Sequence, residues 1–188
     1  MIRPRDMARR LAFDRAGATA VEFAIVVPML TLLFAGVADF GNVLYQRFRL
    51  DSAVSAAANY AIVNASNVSS TGGATLASNA ATILESSQGS AWANAAVVVN
   101  DGPSTTITGG VTSNGGTATQ ADGCYCPTGS ATSTTWGSAT TCGSACPSGG
   151  LAGKFVTIVA SRTYNPLFSS YGIVQSGVIS ASTIVQTQ

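Results

Sequence analysis

Residues 15–30 read RAGATAVEFAIVVPML. The stretch opens on Arg15, passes through small residues, and becomes a membrane-grade apolar run within seven positions. One acid, Glu22, stands at the front of that run. A carboxylate there is costly for a lipid-facing helix unless something pairs with it. Phe23 to Ala38 is uncharged, and at about 1.5 Å per residue it spans roughly 24 Å, short of the ~30 Å hydrocarbon core of a bilayer. Adding Ala18–Val21 before Glu22 and Phe40–Leu44 after Asp39 gives a span of about residues 20–44, which is long enough.

Charge orients this segment. The first 17 of 188 residues hold five arginines against two aspartates. The remainder holds Arg47, Arg49, Lys154 and Arg162 against six acids. A basic start before an apolar run predicts a cytoplasmic N-terminus and an exported remainder. Only 9% of the residues are charged, and Ala, Ser, Thr and Gly dominate, a bias of exported chains. No basic patch exists outside the N-terminus, so nucleic acid is not an expected partner. Histidine is absent, which removes the Ser-His-Asp and Cys-His arrangements. The scattered acids form no catalytic set, so neither an enzyme nor a cofactor is expected. Asp39-Phe40-Gly41 spells a kinase DFG, but no glycine-rich loop, HRD or ATP-site lysine accompanies it.

Two simpler readings of the run are a plain anchor and a secretory signal cut after Ala35-Gly36-Val37-Ala38. Against the second, the helical pattern continues. Ala53, Ala57, Ala61 and Ala65 lie on one helix face, with Val54, Ala58 and Ile62 in the next row. One helix is therefore predicted from about Ala18 to about Ala65, apolar all round in its first half and amphipathic in its second. Pro28 is read as a local kink that frees the Ala24 carbonyl.

Gly17-Ala18-Thr19-Ala20-Val21-Glu22-Phe23, the apolar run with Pro28, and then Gly36-Val37-Ala38-Asp39-Phe40-Gly41 together resemble the TadE-like family. Its members are pseudopilins or minor pilins of the tight adherence (Tad/Flp, type IVb) pilus. The resemblance implies a basic prepilin leader at 1–17 and cleavage by a prepilin peptidase between Gly17 and Ala18. It implies that Glu22, with Phe23, serves assembly with other pilins and the Tad inner-membrane machinery. It further implies a single-pass inner-membrane protein with a periplasmic domain, acting in pilus assembly and so in adhesion and biofilm formation. A carboxylate four residues from a newly made α-amine could pair with a neighbouring subunit's terminus and set axial register. The alternative for Glu22 is an interfacial acid stabilised by the helix macrodipole. The alternative for the chain is an anchored periplasmic or surface binding module outside any pilus.

Beyond residue 66 an exported α+β domain is expected at 67–188. Thr71-Gly72-Gly73 breaks the chain, and Leu76, Ala80, Ile83 and Leu84 mark a short second helix ending near Gly89. AAVVVN, TTITGGVT, GTATQA, KFVTIVASRTYNP and SGVISASTIVQTQ read as strands, with Phe155, Thr157 and Val159 alternating in one and Val178 and Ser180 in another. Pro166 limits the fourth, and Asn165 to Gly177 reads as a loop. The expected plan is pilin-like: the long helix packed on a small antiparallel sheet. Two N-glycosylation sequons, at Asn64 and Asn67, are chance matches in so serine-rich a chain.

Cys124, Cys126, Cys142 and Cys146 crowd into a polar loop at 122–150 that also carries Tyr125 and Trp136. Export favours two disulfides over zinc or free thiols, since C-x-C and C-x3-C are not common zinc spacings. Bonds between the two pairs are favoured over a strained Cys124–Cys126 link, although connectivity is not readable from spacing. The stapled loop is either a contact surface bearing Trp136 and Tyr125 or a structural brace.

Overall fold

The computed structural model describes residues 16–87, 89, 91–166 and 177–188. Almost all of the expected leader and most of the expected 165–177 loop lie outside the described residues.

Helix α1 spans Ala16–Val63, 48 residues without interruption. Pro28 lies inside it, and the Thr31 hydroxyl donates to the Pro28 carbonyl at 2.8 Å. The first half is apolar on every side and nearly bare of contacts. The second half turns a stripe of Val43, Leu50, Ala53, Val54, Ala57, Ala58 and Ala61 into the core. The expected rows are thus correct as far as Ala61 and fail at their last members. Ile62 is half-exposed, and Ala65 lies past the helix in a 3-10 turn, Ala65–Asn67. Helix α2, Gly73–Ser86, buries Leu76, Ala77, Ala80, Ala81 and Leu84.

Five antiparallel strands form the main sheet. They are β1 (Asn94–Val99), β2 (Ser104–Thr108), β3 (Val111–Gly115), β6 (Phe155–Thr163) and β7 (Val178–Gln186), ordered β3-β2-β1-β6-β7. β4 (Thr128–Ser130) and β5 (Ser133–Thr135) pair by themselves. Helix α1 lies across β6 and β7, α2 across β1 and β2, and the helices touch each other. Both therefore cover one face of the sheet.

The register explains how a chain this rich in alanine builds a core. Ala95 pairs with Ala160, and Ala160 with Ala181. That row of small side chains faces helices whose own inward stripes are largely alanine. Small residues on both sides let helix and sheet approach closely, and interior packing density then depends on proximity rather than side-chain bulk. Leu50, Leu76, Leu84, Ile158, Val97, Val99 and Val156, all fully buried, fill the space around it. Val156, Ile158 and Ala160 face the helices, as do Ile179 and Ala181. The sets singled out by alternation, Phe155/Thr157/Val159 and Val178/Ser180, belong to the opposite face, where Thr157 is nonetheless buried.

One segment departs from the expected strands. GTATQA does not pair as a strand, and Ala118–Asp122 form a 3-10 turn. The cause lies across the sheet at Asn100. Asn100 and Asp101 both adopt positive φ, 53° and 56°, the signature of a tight hairpin turn between β1 and β2. The Asn100 side chain is fully buried and completely satisfied. Its amide donates to the Ala121 carbonyl at 3.0 Å and the Gly123 carbonyl at 2.6 Å, while its oxygen accepts from the Phe155 amide at 3.1 Å. Side-chain hydrogen bonds capture these carbonyls, so the segment curls under the hairpin instead of joining a ladder. Gly116 permits the approach: at φ 83°, an added Cβ would stand 1.9 Å from the Gly102 oxygen.

Two further contacts fasten the α1–α2 connection. Lys154 Nζ donates to the Val68 carbonyl at 2.8 Å, and Asp122 accepts from the Ser70 amide at 2.8 Å.

Asn100→Ala leaves the buried Ala121 carbonyl, the part-buried Gly123 carbonyl and the Phe155 amide without this partner, and puts a Cβ-only residue at positive φ. It is expected to lower stability by about 3 kcal/mol or more, read as a fall in urea midpoint at unchanged slope. Acid acts on the same corner. The Ser70 hydrogen bonds, and secondarily the Lys154 charge, hold the Asp122 carboxyl below its ordinary value. The contribution of this group is present above the unfolded aspartate pKa and is lost as pH falls through the lower folded value. Asp122→Asn should flatten the stability profile on that acidic side, as seen by comparing thermal midpoints across pH 2–5 (roughly the aspartate range).

Candidate functional site

Gly17, Ala18, Glu22 and Phe23 all fall in the first two turns of α1. Gly17 is exposed, and nothing lies within 4 Å of where its Cβ would be. Phe23 is 69% exposed. Glu22 is exposed too, and no hydrogen bond or ion pair engages it among the described residues. It is the seventh residue of the helix, beyond the first turn where the macrodipole is felt. Val21, Ile25, Met29, Leu33, Phe34 and Val37 are each more than half exposed, on all sides of the helix. Among the described residues this is the one helix long and apolar enough to cross a membrane.

The apolar half meets the domain at Asp39. The Tyr164 hydroxyl donates to Asp39 Oδ1 at 2.5 Å, and Asn42 Nδ2 donates to the same hydroxyl at 3.3 Å. Asp39 is 1% exposed. Burial, and then the bond to Asp39, raises the Tyr164 pKa. An acid at the edge of an apolar helix is therefore tolerated because the domain covers it. The sequence places Asp39 in a family-like motif at the end of the apolar run but does not show what covers it. Its partner lies 125 residues away, so no local signal could have found it.

A second cluster lies two turns further along α1. Arg49 stands 5.2 Å from the Tyr45 ring centroid and 5.6 Å from that of Trp92. Arg162 covers Trp92 at 5.1 Å and donates to Gln46 Oε1 at 3.3 Å. Cation–π contacts at such distances hold guanidinium groups in place without neutralising them.

The cysteine loop is separate from both. Cys124 joins Cys142, and Cys126 joins Cys146, with Cα–Cα distances of 5.1 and 5.6 Å. All four thiols are consumed, which leaves no zinc ligands among them. The bonds run between the two pairs, as favoured from the sequence. Tyr125 is not a contact residue. It is 4% exposed, its hydroxyl donates to the Gln120 carbonyl at 3.1 Å, and its backbone exchanges hydrogen bonds with Gly153. Trp136 packs edge-on against it at 6.0 Å and is half-buried. Beside Trp136 is an open groove of about 720 Å³ lined by Cys126, Thr135, Thr140 and Pro147 and by no charged residue.

Closing loops of 18 and 20 residues restricts the unfolded chain. Reduction is expected to remove about 3 kcal/mol per bond. Alkylation before reduction should label none of the four cysteines, and alkylation after reduction should label all four.

No curated protein and no solved structure matches the chain. Residues 17–59 match the family model described as TadE-like protein. The match begins at the glycine before Ala18, takes in Glu22 and the apolar half of α1, and ends in the stripe that packs on the sheet. From Gly17 to Asn59 the chain is therefore similar to TadE-like proteins, which supports an association with the Tad pilus system.

Proposed function

We propose that the chain is a minor pilin or pseudopilin of a Tad-type pilus, made as a membrane-inserted precursor and cut between Gly17 and Ala18. The observation that carries this reading is the spacing of Gly17, Ala18 and Glu22 on an exposed helix start inside the TadE-like segment. Hydrolysis of the Gly17–Ala18 peptide bond would leave a charged α-amine on Ala18. Glu22 then becomes the fifth residue of the mature helix, with its side chain free to reach another subunit. Gly17 favours the cut in two ways. It offers no side chain to obstruct an enzyme, and glycine is a weaker helix former than alanine. The macrodipole alternative for Glu22 loses force, since the acid sits past the first turn of the uncut helix.

In this reading the leader stays cytoplasmic, α1 crosses the inner membrane, and the α+β domain is periplasmic until assembly. The partners are the prepilin peptidase, other pilins or pseudopilins, and the Tad inner-membrane machinery, and adhesion follows from the pilus. An anchored binding module outside any pilus is favoured by one feature only, the uncharged groove beside Trp136.

Mass spectrometry of the mature N-terminus separates the two. Ala18 at the terminus supports pilin processing, whereas an intact Met1 or a cut after Ala38 sinks it. Glu22→Ala should be cut normally yet fail to assemble, with piliation down by tenfold or more, about the effect of one lost 1.4 kcal/mol contact. Normal piliation in that variant would remove Glu22 from its role.

A further inference from the structure

We propose that the Tyr45–Arg49–Trp92–Arg162 cluster is a binding site for the phosphate of an anionic phospholipid headgroup, holding the domain against the bilayer from which α1 emerges. The proposal rests on the membrane-anchored reading of α1.

The cluster is placed for this. Counting about 20 residues from Phe23, the length of a hydrocarbon-spanning helix, ends at Asn42. Tyr45 and Arg49 follow by three and seven positions, roughly 5 and 10 Å along the axis. The polar headgroup layer is some 5–8 Å thick on each side. Side chains on a helix lean toward its N-terminus, so Arg49 reaches back toward that layer. The sheet brings the other two residues to the same level. Asn94 pairs with Ser161, so Trp92 and Arg162 share one end of the β1–β6 ladder. Tyr164, two residues beyond Arg162, is in contact with Asp39.

The chemistry also fits. Tyr and Trp are the side chains enriched at bilayer interfaces, and Phe40, Tyr45 and Phe48 project from α1 with more than half their surface exposed. Neither Arg49 nor Arg162 has a carboxylate partner among the described residues. The nearby acids do not take that place. Glu85 accepts from the Ala91 amide, Asp39 accepts from Tyr164, and Asp51 is exposed. Two guanidinium groups fixed by ring faces, with most of their N–H donors unspent, form a fork suited to phosphate oxygens. Beside them a polar depression of about 300 Å³ is lined by Trp92, Asn94, Ser161, Arg162 and Thr163. Its hydroxyl and amide groups would meet the glycerol side of a headgroup.

The test uses the full chain carrying Trp136→Phe, which leaves Trp92 as the sole tryptophan. The protein is placed in nanodiscs of phosphatidylcholine alone or mixed with phosphatidylglycerol, each with a nitroxide-headgroup lipid as quencher. Quenching of Trp92 should be stronger in the anionic discs and should weaken as salt is raised. Arg49→Gln with Arg162→Gln should remove the difference, shifting occupancy by on the order of tenfold. Equal quenching in the two kinds of disc overturns the proposal without recourse to any arginine variant. If glycerol phosphate added to neutral discs reproduces the effect, the ligand is a free phosphate and the lipid assignment falls. Failure of the chain to co-elute with discs at all overturns the anchoring reading, and this one with it.

Discussion

One helix has to satisfy two solvents without a break. Over its first half α1 exposes apolar side chains in every direction. Over its second half it shows the core a stripe made almost wholly of alanine and valine. No loop separates the halves, so the handover must occur within the helix. It occurs at Asp39, where the Tyr164 hydroxyl donates to the carboxyl group and Asn42 donates to that hydroxyl. A free acid there would draw water into the apolar half. A hydrophobic residue there would give the domain nothing directional to fix its angle on the helix. A buried, hydrogen-bonded acid is a costly way to join two bodies, but it specifies a single joint.

The alanine stripe follows from the same constraint. A helix that crosses lipid gains nothing from large side chains on its soluble half, where bulk would hold the sheet away. Ala53, Ala57 and Ala61 let the sheet close to short range, and the alanines of β1, β6 and β7 meet them there. Leucine is confined to Leu50, Leu76 and Leu84, where gaps between the elements need filling. The core is thus shaped by backbone proximity, and changing any of these alanines to a larger residue would overpack it.

The parts of this architecture that depend on local pattern were legible in the sequence. Both helices could be read from periodicity, the main strands from β-branched runs, and the cysteine bonds in outline from spacing and export. The sequence misleads where tertiary contacts override pattern. GTATQA has the composition of a strand, but Asn100, fifteen or more residues away in the chain, takes its Ala121 carbonyl and that of Gly123 just beyond it. In β6 both faces are apolar, so alternation alone could not choose between Phe155/Thr157/Val159 and Val156/Ile158/Ala160. The short polar pair β4 and β5 has no hydrophobic signal at all, and backbone pairing within the stapled loop is what defines it. The joint at Asp39 and the arginine–tryptophan cluster link positions more than forty residues apart and leave no mark that a window could detect.

The cysteine loop can vary without disturbing any of this. It enters after the 3-10 turn anchored by Asn100 and leaves at Gly153, whose backbone pairs with Tyr125 and whose missing Cβ admits Gln188. Between those two fixed points its shape rests on two disulfides and its own hydrogen bonds. It places no side chain in the cluster that joins helices and sheet. Apart from Cys142 and Cys146, residues from Pro127 to Gly150 can therefore change in sequence, and with it in the surface around Trp136, while the helix and sheet keep their geometry. The loop is closed on itself covalently, so that its folding does not draw on the core that holds the helices and the sheet.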